Sequence, residues 1–211
     1  MEFKAKIYIK DESLPFYRKW TLTEQLLYGG CFIFIIIYLF NKIFKFEIEN
    51  NNIIYMKFFV CYFLAAWIFS ITYRYWEFER INGKIEGEIS FEEKGIKINE
   101  TLYLFSEIKK LDIRYGNKYK DLTRNRKYEP YYSQGLNNHI SFYHNSKFIK
   151  TYFQMYSTSQ YDAIQVDLFH YVIKEVFPFE KKNLEFIDGQ FYHYTLYKEF
   201  IEKMKREGKL T

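Results

Sequence analysis

KIEGEISFEEKGIKINETLYLF, residues Lys84–Phe105, is the stretch whose reading decides the fold. Ile85, Ile89 and Phe91 share one face of an extended chain, and Glu86, Glu88 and Ser90 share the other. That period of two belongs to a strand with one buried face. Two turn signals follow it. Glu93-Lys94-Gly95 reverses the chain into Ile96-Lys97-Ile98, and Asn99-Glu100 reverses it again into Thr101–Phe105. The pattern predicts a short antiparallel meander.

Toward the C-terminus the alternation continues. Ile108, Leu111, Ile113 and Tyr115 mark a further strand, and Asn138–His144 with Phe148–Tyr156 predict a hairpin about His144-Asn145-Ser146-Lys147. A helix is expected from near Ser159, with Asp162 in capping-box position. Ile164, Leu168, Tyr171, Val172 and Val176 recur along it at helical spacing, and Pro178 is its stop signal. A second amphipathic helix, Tyr192–Arg206, places Leu196, Phe200 and Met204 on one stripe and leads into the basic tail Lys203, Lys205, Arg206 and Lys209. Short strands closed by one long helix predict an α+β unit, its antiparallel sheet curling toward a small open barrel. Roughly 135 residues suffice for one such core and not for two.

Toward the N-terminus the composition changes. QLLYGGCFIFIIIYLFN, Gln25–Asn41, has no charge, and IIYMKFFVCYFLAAWIFSITY, Ile53–Tyr73, has Lys57 alone charged. A membrane-crossing helix needs roughly 20 apolar residues. The two runs are therefore expected to be transmembrane helices, with Trp20, Lys57, Tyr73, Arg74 and Trp76 as membrane-interface anchors. Lys and Arg flank the pair before the first run and after the second, so both termini are expected in the cytoplasm. The expected organisation is a cytoplasmic amphipathic lead over 1–20, a two-span hairpin over 21–80, a β-domain with its capping helix over 81–178, and a C-terminal amphipathic helix with a basic tail over 179–211.

The stretch ISFEEKGIKINETLYLFSEIKKLDI, Ile89–Ile113, resembles the opening of bacterial PH-like domains of the YcxB-like type. The matching elements are the strand and turn at Glu93-Lys94-Gly95, the strand Leu102–Phe105, and Ser106-Glu107-Ile108-Lys109-Lys110. Phe105 stands where that family usually has Trp, and Ser157-Thr158-Ser159 replaces its Pro-basic step. The resemblance implies a PH-like sheet closed by a C-terminal helix, preceded by two spans, in the bacterial inner membrane. The layout also resembles two-span, β-rich anti-phage effectors that sense a cyclic nucleotide and disrupt the membrane.

Composition narrows the chemistry. The chain has 211 residues, 48% apolar and 23% aromatic, which excludes disorder. Nine Gly and three Pro exclude a collagen or linker, and two Cys exclude a disulfide scaffold. No Gly-rich nucleotide loop is present. His139 and His144 lie five apart on one expected strand and so face opposite sides, while His170 and His193 lie on or near expected helices. Neither a catalytic residue, a metal site nor a cofactor is expected.

One segment concentrates charge. RYGNKYKDLTRNRK, Arg114–Lys127, carries Arg114, Lys118, Lys120, Arg124, Arg126 and Lys127 against Asp121 alone, which matches the net charge of +5 of the whole chain. With Tyr115 and Tyr119 interleaved, these residues are the candidates for binding an anion, either a lipid headgroup or a cyclic nucleotide. The expected function is thus a non-enzymatic, membrane-anchored binding or regulatory protein. Its expected partners are the lipid bilayer, a protein partner or a homo-oligomer formed through the spans, and an anionic ligand, with nothing pointing to DNA. The alternatives are the anti-phage effector just described and an immunity or scaffold subunit of a membrane complex.

Overall fold

The computed structural model of the chain describes residues 2–15, 18–44, 50–123 and 130–210. These fall into two compact units: residues 1–10, 83–119 and 135–211 form one, and residues 11–82 and 120–134 the other.

The first unit is an α+β fold on a seven-stranded antiparallel sheet. Its strands are β1 (Lys4–Lys10), β2 (Gly83–Glu92), β3 (Gly95–Ile98), β4 (Thr101–Leu104), β5 (Lys109–Arg114), β8 (Asn138–His144) and β9 (Lys147–Gln154), in the order β4-β3-β2-β1-β9-β8-β5. The meander read from Lys84–Phe105 is β2-β3-β4, with Glu92 opposite Gly95 and Ile98 opposite Thr101. A Cβ on Gly95 would lie 2.1 Å from the carbonyl oxygen of Tyr103, which is why the first turn ends in glycine.

Residues 1–20, expected as a lead, contribute the central strand. β1 pairs with β2 on one side and β9 on the other, so sequence-distant segments are joined through it. The two edge strands β4 and β5 are consecutive in the chain, linked only by the 3-10 turn Phe105–Glu107 and Ile108. Seven strands laid flat would separate those edges by roughly 29 Å, and so short a link reaches about half of that. The sheet therefore curls. The Tyr103 ring of β4 meets Phe142 at 5.3 Å and His144 at 5.2 Å on β8.

Helix α3 (Thr158–Ile173) lays Ile164, Leu168 and Val172 into the core with Phe3, Ile89, Phe91, Ile140, Phe142 and Phe153. Its cap is Ser157, which accepts from the Gln160 N–H while the Gln160 side chain accepts from Ser157. The capping box thus sits ahead of the expected Ser159 start, and the helix ends at Ile173, before Pro178. Helix α4 (Thr195–Arg206) buries Phe200 and Met204, but Leu196, expected on the same stripe, is exposed.

The second unit holds α1 (Leu22–Phe44), α2 (Asn50–Tyr73) and, apart from Tyr119, the small sheet of β6 (Tyr119–Leu122) with β7 (Tyr132–Gln134). Thr21 and Glu24 form a capping box at the start of α1. Glu77 accepts from the Leu22 and Thr23 N–H groups at 2.7 and 3.3 Å, and Ser70 donates to the Thr23 carbonyl at 3.1 Å. Of the paired glycines, Gly30 faces the Phe63 ring, where a Cβ would sit 3.2 Å away.

The two transmembrane spans and the multi-pass inner-membrane placement are overturned. Among the described residues, no helix is long and apolar enough to cross a membrane. The physical reason lies at the helix ends. In α1 the polar Thr23-Glu24-Gln25 and Asn41-Lys42 leave only Leu26–Phe40 between them, and that run includes Tyr28, Gly29, Gly30 and Tyr38. In α2 three asparagines and Lys57 leave only Phe58–Ile71, which includes Ser70. Both runs fall short of the roughly 20 residues that a crossing needs. The membrane, transmembrane-helix and cytoplasmic-terminus assignments drop out with the spans.

Candidate functional site

Three strands of the first unit build a chemically loaded face. Along β5, Leu111 and Ile113 point to the core, so Asp112 and Arg114 point away. Along β8, Ile140 and Phe142 are core residues, which turns His139, Ser141 and Tyr143 outward. On β9 the buried Phe153 leaves Lys150 and Tyr152 on the outward side.

Register then brings them together. Asp112 pairs with Ser141 and Ser141 with Lys150, forming one cross-strand row. Arg114 pairs with His139, His139 with Tyr152, and Tyr152 with Tyr8 of β1, forming the next. Directly opposed residues have Cβ atoms about 5 Å apart, so each row is a continuous strip of side chains. Asp112 Oδ2 lies 3.6 Å from His139 Nε2 and 3.9 Å from Arg114 Nε. Lys150 Nζ sits 5.0 Å from the centre of the Tyr152 ring, and that ring lies 5.5 Å from the His139 ring.

The electrostatics of this face favour an incoming anion. The Arg114 side chain is 74% exposed, whereas that of His139 is only 14% exposed. Burial holds the His139 imidazole below its ordinary pKa; Lys150 and Arg114 push the same way, and Asp112 opposes them. His139 is therefore neutral at pH 7 and able to gain a proton when negative charge arrives. Arg114 offers a planar fork of donors and Lys150 a point charge, while Ser141, on the same side of the sheet, is itself buried.

Among the described residues, those picked out from the charged segment do not all share one face. Arg114 belongs to the face just described. Tyr115 turns inward: its hydroxyl donates to the Phe186 carbonyl at 2.8 Å, and burial, with Tyr161 adding to it, pushes its pKa far above the ordinary range. Lys118 lies 4.8 Å over the Tyr161 ring, which also meets Tyr115 at 5.8 Å. Tyr119 stacks on Tyr156 at 4.6 Å. Lys120 stands on β6 with φ +67°. Arg124, Arg126 and Lys127 lie outside the described residues.

The residues expected as interface anchors all fall in the second unit. Trp20 packs against Tyr28 and Tyr73 stacks on Phe69, at 5.3 and 5.4 Å. Arg74 lies over the Tyr75 ring, and Lys57 and Trp76 are exposed. His144, as its spacing from His139 requires, is on the opposite face of β8, where its Nε2 lies 2.9 Å from Glu107 Oε2. Among the described residues no three His, Cys, Asp or Glu side chains come together as metal ligands would.

Sequence reasoning misses His139, Ser141, Lys150 and Tyr152 as members of a site, although a signal for them exists. A turn centred on Asn145-Ser146 pairs His144 with Lys147, and counting back from it pairs Ser141 with Lys150 and His139 with Tyr152.

No family model matches the chain, and no curated protein or solved structure matches it.

Proposed function

We propose that the chain is a non-enzymatic binding protein whose α+β unit holds a small phosphate-bearing ligand on the β5–β8–β9 face. One observation carries this reading: the ladder register delivers Arg114, His139 and Lys150 to one outward face around Ser141 and Tyr152. In this reading the curled sheet with α3 against it is the PH-like scaffold that Ile89–Ile113 resembles.

The chemistry selects the ligand's charge. Asp112 already occupies Arg114 and His139 from the side, so an incoming anion competes with a carboxylate. A monoanion gains little in that exchange. A dianionic phosphate outcompetes it, takes the Arg114 fork on two oxygens and draws a proton onto His139. Binding therefore strengthens as pH falls toward the ordinary histidine range. It also weakens with salt, since Arg114 and Lys150 are exposed.

The test uses the full chain with inorganic pyrophosphate as probe, following the His139 imidazole by NMR at low ionic strength. Pyrophosphate is expected to raise the pH at which His139 titrates, and Arg114→Gln with Lys150→Gln is expected to abolish that rise. An unchanged His139 titration at millimolar pyrophosphate would refute the reading.

A further inference from the structure

The outward face of β5, β8 and β9 continues past the anion site toward the β8–β9 turn. One row beyond Ser141 and Lys150, Tyr143 stands opposite Phe148 of β9 and opposite Lys109 of β5. Phe148 is 53% exposed, and its ring lies 5.2 Å from that of Tyr143 at an angle of 50°. Lys110 Nζ lies 5.7 Å from the centre of the Tyr143 ring, much as Lys150 lies over Tyr152. Along β9 the outward side chains are therefore Phe148, Lys150 and Tyr152, aromatic and cation in alternation. Within these three strands Asp112 is the one acid set against Lys109, Lys110, Arg114 and Lys150.

An open ring beside a cationic phosphate site is a platform for a nucleobase. Span and charge narrow the ligand further. At about 3.3 Å per residue, Phe148 stands about 7 Å from Lys150 and about 13 Å from the row of Tyr152, His139 and Arg114. A phosphotyrosine side chain, its phosphate bonded directly to the ring, covers the first distance and stops short of the second. A nucleoside diphosphate laid along β9 reaches both, with the sugar between its base on Phe148 and its first phosphate at Lys150. Its terminal phosphate then meets Arg114. Charge makes the same choice. Asp112 holds Arg114 at 3.9 Å, and the doubly charged terminal phosphate of a diphosphate displaces it, whereas the singly charged diester of a cyclic nucleotide or a phospholipid does not.

We propose that the ligand of this face is a nucleoside diphosphate, its base stacked on Phe148 and its phosphates held by Lys150 and Arg114. The inference rests on the phosphate reading above and adds the base to it. Stacking is tolerant of base identity, so purines and pyrimidines both bind, and purines more tightly because their rings are larger.

The test titrates the full chain with ADP and with inorganic pyrophosphate at equal ionic strength, following the His139 imidazole and the adenine protons by NMR. ADP is expected to bind about tenfold or more tighter than pyrophosphate, with the adenine protons shifted upfield by the Phe148 ring. Phe148→Ala is expected to bring the ratio of the two affinities to about one, and Phe148→Trp to keep or raise it. Both variants fold, because the side chain they change is half exposed. Cyclic AMP and O-phosphotyrosine are each expected to bind about tenfold or more weaker than ADP. Equal affinities of the unaltered chain for ADP and pyrophosphate, with His139 still responding to both, would overturn this inference and leave the phosphate reading standing. So would an ADP advantage that survives Phe148→Ala, or cyclic AMP or O-phosphotyrosine binding as tightly as ADP. A His139 titration that neither ADP nor pyrophosphate moves overturns the two together.

Discussion

Phe3→Ala tests whether the N-terminal segment is the centre of the sheet or a lead outside it. Phe3 has no exposed surface, and its ring lies 5.1 Å from Phe91 and 5.5 Å from Phe153, so it bridges residues from β2 and β9. Its N–H donates to Asp167 of α3 at 2.9 Å, which fixes the ring's position against the helix. Removing a fully buried phenylalanine costs about 3–5 kcal/mol in lost burial and residual cavity. That is a large share of the roughly 5–15 kcal/mol by which a domain is stable. At about 1.4 kcal/mol per decade, amide exchange through global opening would speed up by two to three decades.

The assay must resolve the two units. All three tryptophans, Trp20, Trp67 and Trp76, lie in residues 11–82, so their fluorescence reports the helix unit. Exchange at Ile89 and at the amides of β9 reports the sheet. Phe3→Ala is expected to accelerate the second and leave tryptophan fluorescence little changed. Phe148→Ala, the same deletion at a side chain 53% exposed on β9, serves as control and costs less than about 1 kcal/mol. Equal effects for the two substitutions would refute the placement of β1.

Three further outcomes are expected. His139 is held below its ordinary pKa, so the unfolded chain takes up its proton first and stability falls as pH drops through about 6.5; His139→Gln should flatten the urea midpoint measured between pH 7.5 and pH 5. Asn145 and Ser146 have φ of +49° and +64°, a left-handed pair that glycine adopts more readily, and Ser146→Gly should raise the urea midpoint by the equivalent of about 0.5–1 kcal/mol. Glu77→Gln weakens the acceptor for the Leu22 and Thr23 N–H groups and should cost the helix unit about 1 kcal/mol, read by tryptophan fluorescence in urea.

Local signals are legible where a structure's cause is local. The β2-β3-β4 meander follows from alternation and two turns, and the β8–β9 hairpin from its four-residue reversal. The body of α3 follows from its apolar spacing. β1 escapes a reading from sequence, although Lys-Ala-Lys-Ile-Tyr-Ile-Lys alternates, because its partners β2 and β9 lie far along the chain. Nothing within so short a segment states that a strand is central. The apolar runs mislead for a related reason. Length and hydropathy mark them as helices, which they are, but the polar residues that shorten them act at the ends. There Glu24 and Glu77 cap the helix start as well as bounding a run.

The candidate site draws on the register of the ladder rather than on the run of charge along the chain. Arg114–Lys127 holds the whole net charge, yet consecutive residues of an extended chain face opposite ways, so Arg114 turns outward while Tyr115 turns in to bond Phe186. The cations that share a face with Arg114 come instead from across the ladder. Lys150 stands two strands away, and His139 is paired directly opposite Arg114. A one-residue slip of β9 in the β8–β9 register would send Lys150 to the core side while His139 stays opposite Arg114, and break the face. The turn at Asn145-Ser146 therefore fixes the site as much as any cationic residue does. A substitution that shifts that turn should abolish anion binding with every charged side chain intact.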